Sequence, residues 1–535
     1  MTATTAIAPG LYYEVAPPPA APEPLRSDIA AFVGRTRRGP IGAPIRVEGW
    51  RAYIGVFGDL VVAADTPYGI RGYFENGGQL AWIVRLPDDP LVVGLAAAAL
   101  VFDASWGTAL DRYWIAATSP GAWSDGARIE LDWYIDPTQG VPVFDVTVST
   151  AGDGVEQLAG IPAAALVDEV ARRSRLIRIL PDPAAGVPAS GPPRPRRRSL
   201  VQGLALAPVA SWPAWLRARM LPAEPASLDA LAWYLDAIDQ LTDQPEVALL
   251  ALPDLYNDFA APAWAPGGAV GAVLAAAIAA ADELRDRMVL VDLPPSNAPA
   301  TAIELVRWLD GLGRGDGTHI WRAAAAYHPP IRVLDPLGGL GHELRRIAPS
   351  GHVAGMISQS DRLRGAHQTP ANVALVDVVD VTEERPTDEL AVLGGGGVNM
   401  IRCAPRRGFV VMGGRTLDLV EGYRFVAHRR LLHRLVRAIH LAAQPLVFET
   451  NGPELWVRFA RAVTSVILPA WRAGALKGTT AGQAFRVQCD ADTNPQREID
   501  LGRCVCLIAF APATPMEFIL LRVAVSRDGS LEVLT

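Results

Sequence analysis

The sequence predicts a mixed α/β, multidomain protein with extended arms at both ends. Three observations carry this. The chain has 535 residues, too many for one ordinary core and enough for two to four domains. Between about residues 225 and 330, apolar runs of strand length alternate with helical periodicity, the βαβαβ order of a parallel sheet. Both termini carry short apolar strands on extended leads, and a lone strand is not stable in water.

Residues 1–26 are rich in Ala and Pro and hold one strand-like island, Leu11, Tyr12, Tyr13, Glu14 and Val15. Pro17 to Pro19 then enforce extended backbone, so this stretch is an N-terminal arm. Globular pattern occupies 27–86. An apolar strand through Ile29, Phe32 and Val33 ends at Gly34, and Trp50 to Phe57 read as a short helix. Asn76-Gly77-Gly78 is a turn needing positive φ, and Ala81 to Leu86 form a strand.

Residues 87–200 read as a small β-rich domain. It opens on a helical stretch near Leu95 to Phe102 and continues as strands at Tyr113–Ala117, Ala127–Trp133 and Val143–Ser149. It closes on the basic, Pro-rich run from Pro192 to Arg198, a solvated linker loop. Residues 201–345 are the α/β domain. Leu228, Leu231, Leu235 and Ile238 keep helical spacing behind Ser227 as N-cap. Strands Val247–Leu252 and Met288–Val291 end in Asp254 and Asp292, and a helix near Ala302–Leu312 leads to a strand near Trp321–Tyr327.

Residues 331–420 are loop-rich, with the four-Gly run Gly394 to Gly397 as a flexible loop. Two amphipathic helices follow, over 422–443 and from about Pro453 to Ala473. Strands at Phe518–Val525 and Leu531–Leu534 form a C-terminal arm over 513–535.

Composition narrows the function classes. Net charge is −7 and pI about 5.7, which gives no sign of nucleic-acid binding. Lys477 is the single lysine, as the codon bias of a GC-rich genome would give. Four cysteines, with no CxxC pair, read as buried thiols of a reducing compartment. No signal peptide is expected, and the uncharged run from Phe259 to Ala281, interrupted by Pro262 and Pro266, reads as a buried helix with no membrane insertion.

Catalytic and metal motifs are not recognisable. Asp254 and Asp292 occupy strand ends, where doubly wound enzymes place acids and bases, but no His, Lys or Ser motif accompanies them. The four-Gly run lacks the Gly-Lys-Ser/Thr that would hold phosphate and Mg²⁺. His433 and His440 share a helix face but stand two turns apart, too far to chelate one ion. Neighbouring Arg429, Arg430, Arg434 and Arg437 make that surface a basic solvated or interface face. No cofactor is expected.

An ordered set of segments resembles the contractile tail sheath family of phages and phage-like injection systems. It comprises Ala8 to Val15, Ser27 to Pro40 (SDIAAFVGRTRRGP), Tyr73 to Leu86 (YFENGGQLAWIVRL) and Ser119 to Trp123 (SPGAW). It continues with Ser350 to Asn372, Val398 to Leu417, Phe448-Glu449 with Leu455-Trp456, and Val487 to Asp500 (VQCDADTNPQREID). The resemblance implies an inner domain built from 27–86 and 346–512, with 87–200 inserted as an outer domain. It also implies stacked hexameric rings around a tube protein, baseplate and cap partners, assembly in a bacterial cytoplasm, and contraction without nucleotide hydrolysis.

The arms would add strands to neighbours through Leu11, Tyr12, Tyr13, Val15, Phe518, Leu520 and Val523. Arg458, Arg461 and Arg472 would meet carboxylates of the tube. Two other functions stand beside this one: an α/β enzyme using Asp254 and Asp292 as acid and base, and a static shell or baseplate protein.

Overall fold

The run Ala30–Gly34 (β1) is buried at every residue, as a central parallel strand must be. A computed structural model describes residues 26–87, 97–102, 111–119, 121–124, 127–150, 154–181, 199–205, 213–216, 229–295, 300–339, 343–513, 519–525 and 531–534. After β1 come Ile45–Glu48 (β2), helices Trp50–Phe57 (α1) and Thr66–Glu75 (α2), and strand Leu80–Arg85 (β3). Gly77 takes φ 100°, as the Asn76-Gly77-Gly78 turn requires.

Next is a β-rich insertion between β3 and the rest of its sheet. Strands Ala97–Phe102 (β4), Asp111–Ala117 (β5) and Ile177–Pro181 (β9) form one antiparallel sheet. Arg128–Ile135 (β6), Pro142–Thr150 (β7), Gly154–Pro162 (β8) and Ser199–Ala205 (β10) form another. Helix Leu166–Arg173 (α3) shares their core through Leu166 and Val170. The helix expected near Leu95–Phe102 is thus a strand. Its Ala- and Leu-rich residues favour helix in isolation, but pairing with β5 across all six positions overrides that weak preference. The basic run from Pro192 to Arg198 lies outside the described residues.

The chain then returns to the sheet it left. Ala230–Thr242 (α4) starts at Asp229, whose side chain accepts from Leu231 N; Ser227 lies outside the described residues. Leu249–Ala251 (β11), Ala269–Leu284 (α5), Met288–Asp292 (β12), Ala302–Leu309 (α6) and Ala324–His328 (β13) follow. The run Ala261–Leu284 is long and apolar enough to cross a membrane by composition. Here α5 buries Val270, Val273, Leu274, Ala277 and Ile278 in the core, each large side chain contributing roughly 1.5–3 kcal/mol.

The region expected to be loop-rich is largely ordered structure. It contains the hairpin Ile331–Leu334 (β14) with Leu344–Ile347 (β15), helix Ser350–Arg364 (α7), short strand Asp380–Val381 (β16), helix Thr387–Gly395 (α8), and strands Val398–Ala404 (β17) and Gly408–Met412 (β18). Gly394 and Gly395 close α8, and Gly397, at φ 82°, turns the chain into β17, so the four-Gly run is a helix terminus.

One sheet of eight strands, ordered β18-β17-β13-β12-β11-β1-β3-β2, joins segments that the sequence reading divides between 27–86, 201–345 and 346–512. Its six central strands are parallel, and both edge strands run antiparallel. Helices α4, α5, α6 and α8 contribute to the core on one face, and α1, α2 and α7 to the core on the other. Helices α2 and α7 meet backbone to backbone: a Cβ on Gly351 would lie 2.3 Å from Gly69 O, and one on Gly355 would lie 2.4 Å from Tyr73 O.

The C-terminal module is built on Val426–Ala443 (α9) and Pro453–Arg472 (α10), with an antiparallel sheet of Phe485–Gln488 (β19), Cys504–Phe510 (β20), Ile519–Val525 (β21) and Leu531–Leu534 (β22). Leu431, Leu432, Leu435 and Ile439 of α9 pack with Phe459, Val463 and Ile467 of α10 and with Cys506 and Ile508 of β20.

Candidate assembly interface

The strand-end carboxylates are the first candidates. Chain order reverses about β1, so a doubly wound sheet would open its ligand crevice between the ends of β1 and β11. Here side chains fill that place. Asp254 Oδ1 accepts Asp65 N at 2.5 Å and Thr66 N at 3.3 Å, and its Oδ2 accepts Arg35 N at 2.8 Å. Gly34 makes room, since a Cβ there would sit 1.9 Å from Thr66 Oγ1. Arg35 also pairs with Asp258, which accepts Tyr234 OH at 2.7 Å. Burial, then the charge of Asp254, pushes the Asp258 carboxyl up to about 6.

Asp292 Oδ1 accepts Ser350 N at 3.0 Å, at the start of α7. Burial raises its carboxyl to about 7, against the opposing effect of the Ser350 hydrogen bonds. A cavity of ≈ 80 Å³ adjoins it, lined by Asp65, Tyr256 and Tyr327 among others. Asp254 and Asp292 therefore each hold backbone N–H groups at helix starts. Among the described residues, no group of His, Cys, Asp and Glu fits a metal ion.

The basic face of α9 is buried within the chain, which corrects its solvated alternative. Arg429, Arg430, His433 and Arg437 are all buried, because this side of the helix packs on the α/β body. Arg430 Nη1 donates to Asp361 Oδ1 at 2.6 Å and its Nη2 to Ser27 O at 2.7 Å. Arg429 lies 3.8 Å from Asp282, which Arg322 already holds at 2.7 Å. Burial, then Arg322, pushes the Arg429 guanidinium down to about 9. Burial and the neighbouring arginines hold His433 well below its ordinary value, hence neutral. His440 is exposed.

On α10, Leu455, Phe459, Val463 and Ile467 are buried and Val466 is half-buried. Arg458, Arg461 and Arg472 lie off that stripe and are exposed. Arg458 Nη1 donates to Glu449 Oε2 at 2.5 Å. Arg461 lines a groove of ≈ 700 Å³ between α10 and β19, with Val457, Leu468, Arg486, Val487 and Gln488. Among the described residues β19 is an edge strand, its outer side without a strand partner.

The arm residues Leu11, Tyr12, Tyr13, Val15 and Phe518 lie outside the described residues. Leu520 and Val523 are in β21, which pairs within the chain, Leu520 opposite Ala509 and Val523 opposite Cys506.

Sequence reasoning did not assign Phe448 a surface role. It is 92% exposed at φ 71°, on a loop where Asn451 accepts Trp456 Nε1 at 2.8 Å and donates to Arg503 O at 2.8 Å. The Phe-Glu-x-Asn spacing was the available signal. Ser119 and Trp123 of the SPGAW segment seat the β-rich insertion, with Gly39 N donating to Ser119 Oγ at 3.0 Å and Trp123 Nε1 to Ser119 O at 3.1 Å.

Residues 421–526 match the family model of the phage tail sheath C-terminal domain. A comparison with curated proteins gives no match. Among solved structures, the contracted helical sheath of the anti-feeding prophage is similar at 21% identity and TM-score 0.54, over 96% of this chain and 98% of that one. The contracted PVC sheath of an extracellular contractile injection system is similar at 17% identity and TM-score 0.51, over 97% of both chains. The sheath tail protein of Listeria innocua shares 10% identity with TM-score 0.60, over 94% of this chain and 96% of that one. The fold of this chain is that of tail sheath proteins.

Proposed function

We propose that this chain is the sheath subunit of a contractile injection particle, polymerising as stacked hexameric rings around an inner tube and contracting to drive that tube through a target envelope. The observation that carries it is the pairing of a tail sheath C-terminal domain over 421–526 with likeness to sheath chains along nearly the whole length. Assembly in a bacterial cytoplasm, and contacts with tube, baseplate and cap proteins, belong to the same proposal.

The groove under α10 supports a mode of assembly. An open strand edge takes up an extended segment by main-chain hydrogen bonds, and pockets beside it select alternate side chains. The island Leu11–Val15 has the required period, with Leu11, Tyr13 and Val15 on one face. We assign its acceptor as β19 of a neighbouring copy. The hairpin of β21 and β22, with Leu520 and Val523, is a second exchangeable element, because a neighbour's strands could supply the same ladder to β20.

Electron microscopy of the chain co-expressed with its tube protein tests the reading. Sheathed tubes are expected from the full chain. Deleting residues 1–20 should leave a folded subunit and abolish long sheaths. Full-length sheaths from the truncated chain would show that the arm is not the link.

A further inference from the structure

Three of the four cysteines meet at one place. Cys504 and Cys506 alternate along β20 and face the same side, and Cys489 immediately follows β19. The register pairs Gln488 with Leu507, which sets Cys489 beside Cys506 at the next step. Cys489 Sγ lies 3.8 Å from Cys504 Sγ. Cys504 and Cys506 are buried. Cys489 is half-buried and lines the groove under α10, where small solutes reach it.

The turn after Cys489 fixes this arrangement. Asp490 Oδ1 accepts the backbone N–H groups of Asp492 at 3.0 Å and Thr493 at 3.2 Å. Asn494 ties the turn to β20: its Nδ2 donates to Val505 O at 3.0 Å, and its Oδ1 accepts Val505 N at 2.6 Å. The same Nδ2 lies 3.8 Å from Cys489 Sγ. The Cys-Asp-x-x-Thr-Asn segment thus clamps one thiol against another across two strands.

We propose that Cys489 and Cys504 form a thiol–disulfide modification site, oxidised by a peroxide, with Cys489 as the attacking thiol and Cys504 as the resolving one. The Cys489 thiolate attacks one peroxide oxygen; the O–O bond breaks, leaving a sulfenic acid on Cys489 and hydroxide that takes up a proton as water. Cys504 Sγ then attacks Cys489 Sγ. The S–S bond forms, the S–O bond breaks, and the departing hydroxide carries off the Cys504 proton as a second water. Two electrons pass from sulfur to peroxide.

Hydrogen bonds from Cys504, then Cys506, hold the Cys489 thiol well below its ordinary value, and the thiolate is the nucleophile. Donation to Cys489, then burial, keeps Cys504 protonated until its turn. The bond needs the two sulfurs to close from 3.8 Å to the roughly 2 Å of a disulfide. The bond would pin the end of β19 to β20, beside the open edge.

The test is peptide mapping of the full chain after hydrogen peroxide treatment, without reductant and with free thiols alkylated. A cross-link joining the Cys489 peptide to the peptide holding Cys504 and Cys506 is expected. Free thiols should fall by two on account of this link, apart from any loss at exposed Cys403. Cys504→Ser should abolish the link and leave Cys489 as an oxidised, unlinked thiol, whereas Cys506→Ser should retain it. Fragmentation on either side of Val505 in the wild-type peptide gives the same assignment if Cys504→Ser does not fold. Absence of the link when Cys403 has been oxidised, or a link that runs to Cys506, overturns the proposal.

Discussion

Replacing Asp292 by Asn isolates the cost of a buried charge. The carboxyl has an ordinary value of 3.8 and is raised to about 7 in the fold, chiefly by burial. The difference is about 3 pKa units, or about 4 kcal/mol at about 1.36 kcal/mol per unit. The direction follows from proton counts. Below about pH 4 both folded and unfolded states are protonated and Asp292 carries no penalty. As pH rises from about 4 to about 7 the unfolded chain sheds this proton while the fold keeps it, so stability falls. Above about 7 the fold holds the charge at its full cost. Asn keeps an acceptor oxygen for Ser350 N and never ionises. The variant should therefore match wild type near pH 4 and exceed it by up to about 4 kcal/mol near pH 8. Urea unfolding followed by tryptophan fluorescence, with both proteins compared across that range, measures the gap. A gap that stays constant with pH would refute the reasoning.

Three further perturbations test other parts of the molecule. Asp361→Ala leaves Arg430 buried without its carboxylate and should cost about 3–5 kcal/mol in urea unfolding; a loss under about 1 kcal/mol would mean that water reaches the site. Gly351→Ala forces a methyl into Gly69 O and should lower stability by about 1–3 kcal/mol or more, so an unshifted melting temperature would show that α2 and α7 can part without cost. On the proposal that Arg458 and Arg461 meet carboxylates of the tube, reversing their charge should weaken tube-templated assembly while subunit melting stays put, and high salt should do the same to wild type, since exposed pairs contribute only about 0–1 kcal/mol each and are screened; unaltered templated assembly in the double variant overturns that proposal.

Local signals were legible where periodicity and turn chemistry agree. Helices α9 and α10 begin and end within a few residues of their expected limits, and the buried stripe of α10 follows helical spacing. The strand that leads to Asp254 and the strand that ends in Asp292 also stand out, as continuous apolar runs. What escaped was long-range. Nothing local says that β3 and β11, on opposite sides of β1, share one sheet across an insertion of more than a hundred residues. Helix α7 escapes because Ser350 to Ser358 are buried all round, glycines and serines included, so that stretch shows no amphipathic stripe. Along α9 the sequence alone leaves a solvated and an interface face equally open. The partners of its arginines, Asp361 and Asp282, lie on α7 and α5, far away in sequence.

Helix α9 has a mechanical consequence. It belongs to two cores at once, apolar toward the C-terminal module and charged toward the α/β body. Two bodies joined by a shared helix have no slack tether between them. A torque applied to the C-terminal module reaches the sheet through the shaft of α9, and the keys that resist slipping are buried ion pairs. Dissolved salt screens such pairs far less than it screens exposed charges. Ionic strength should then loosen what the subunit grips from outside well before it loosens the subunit itself.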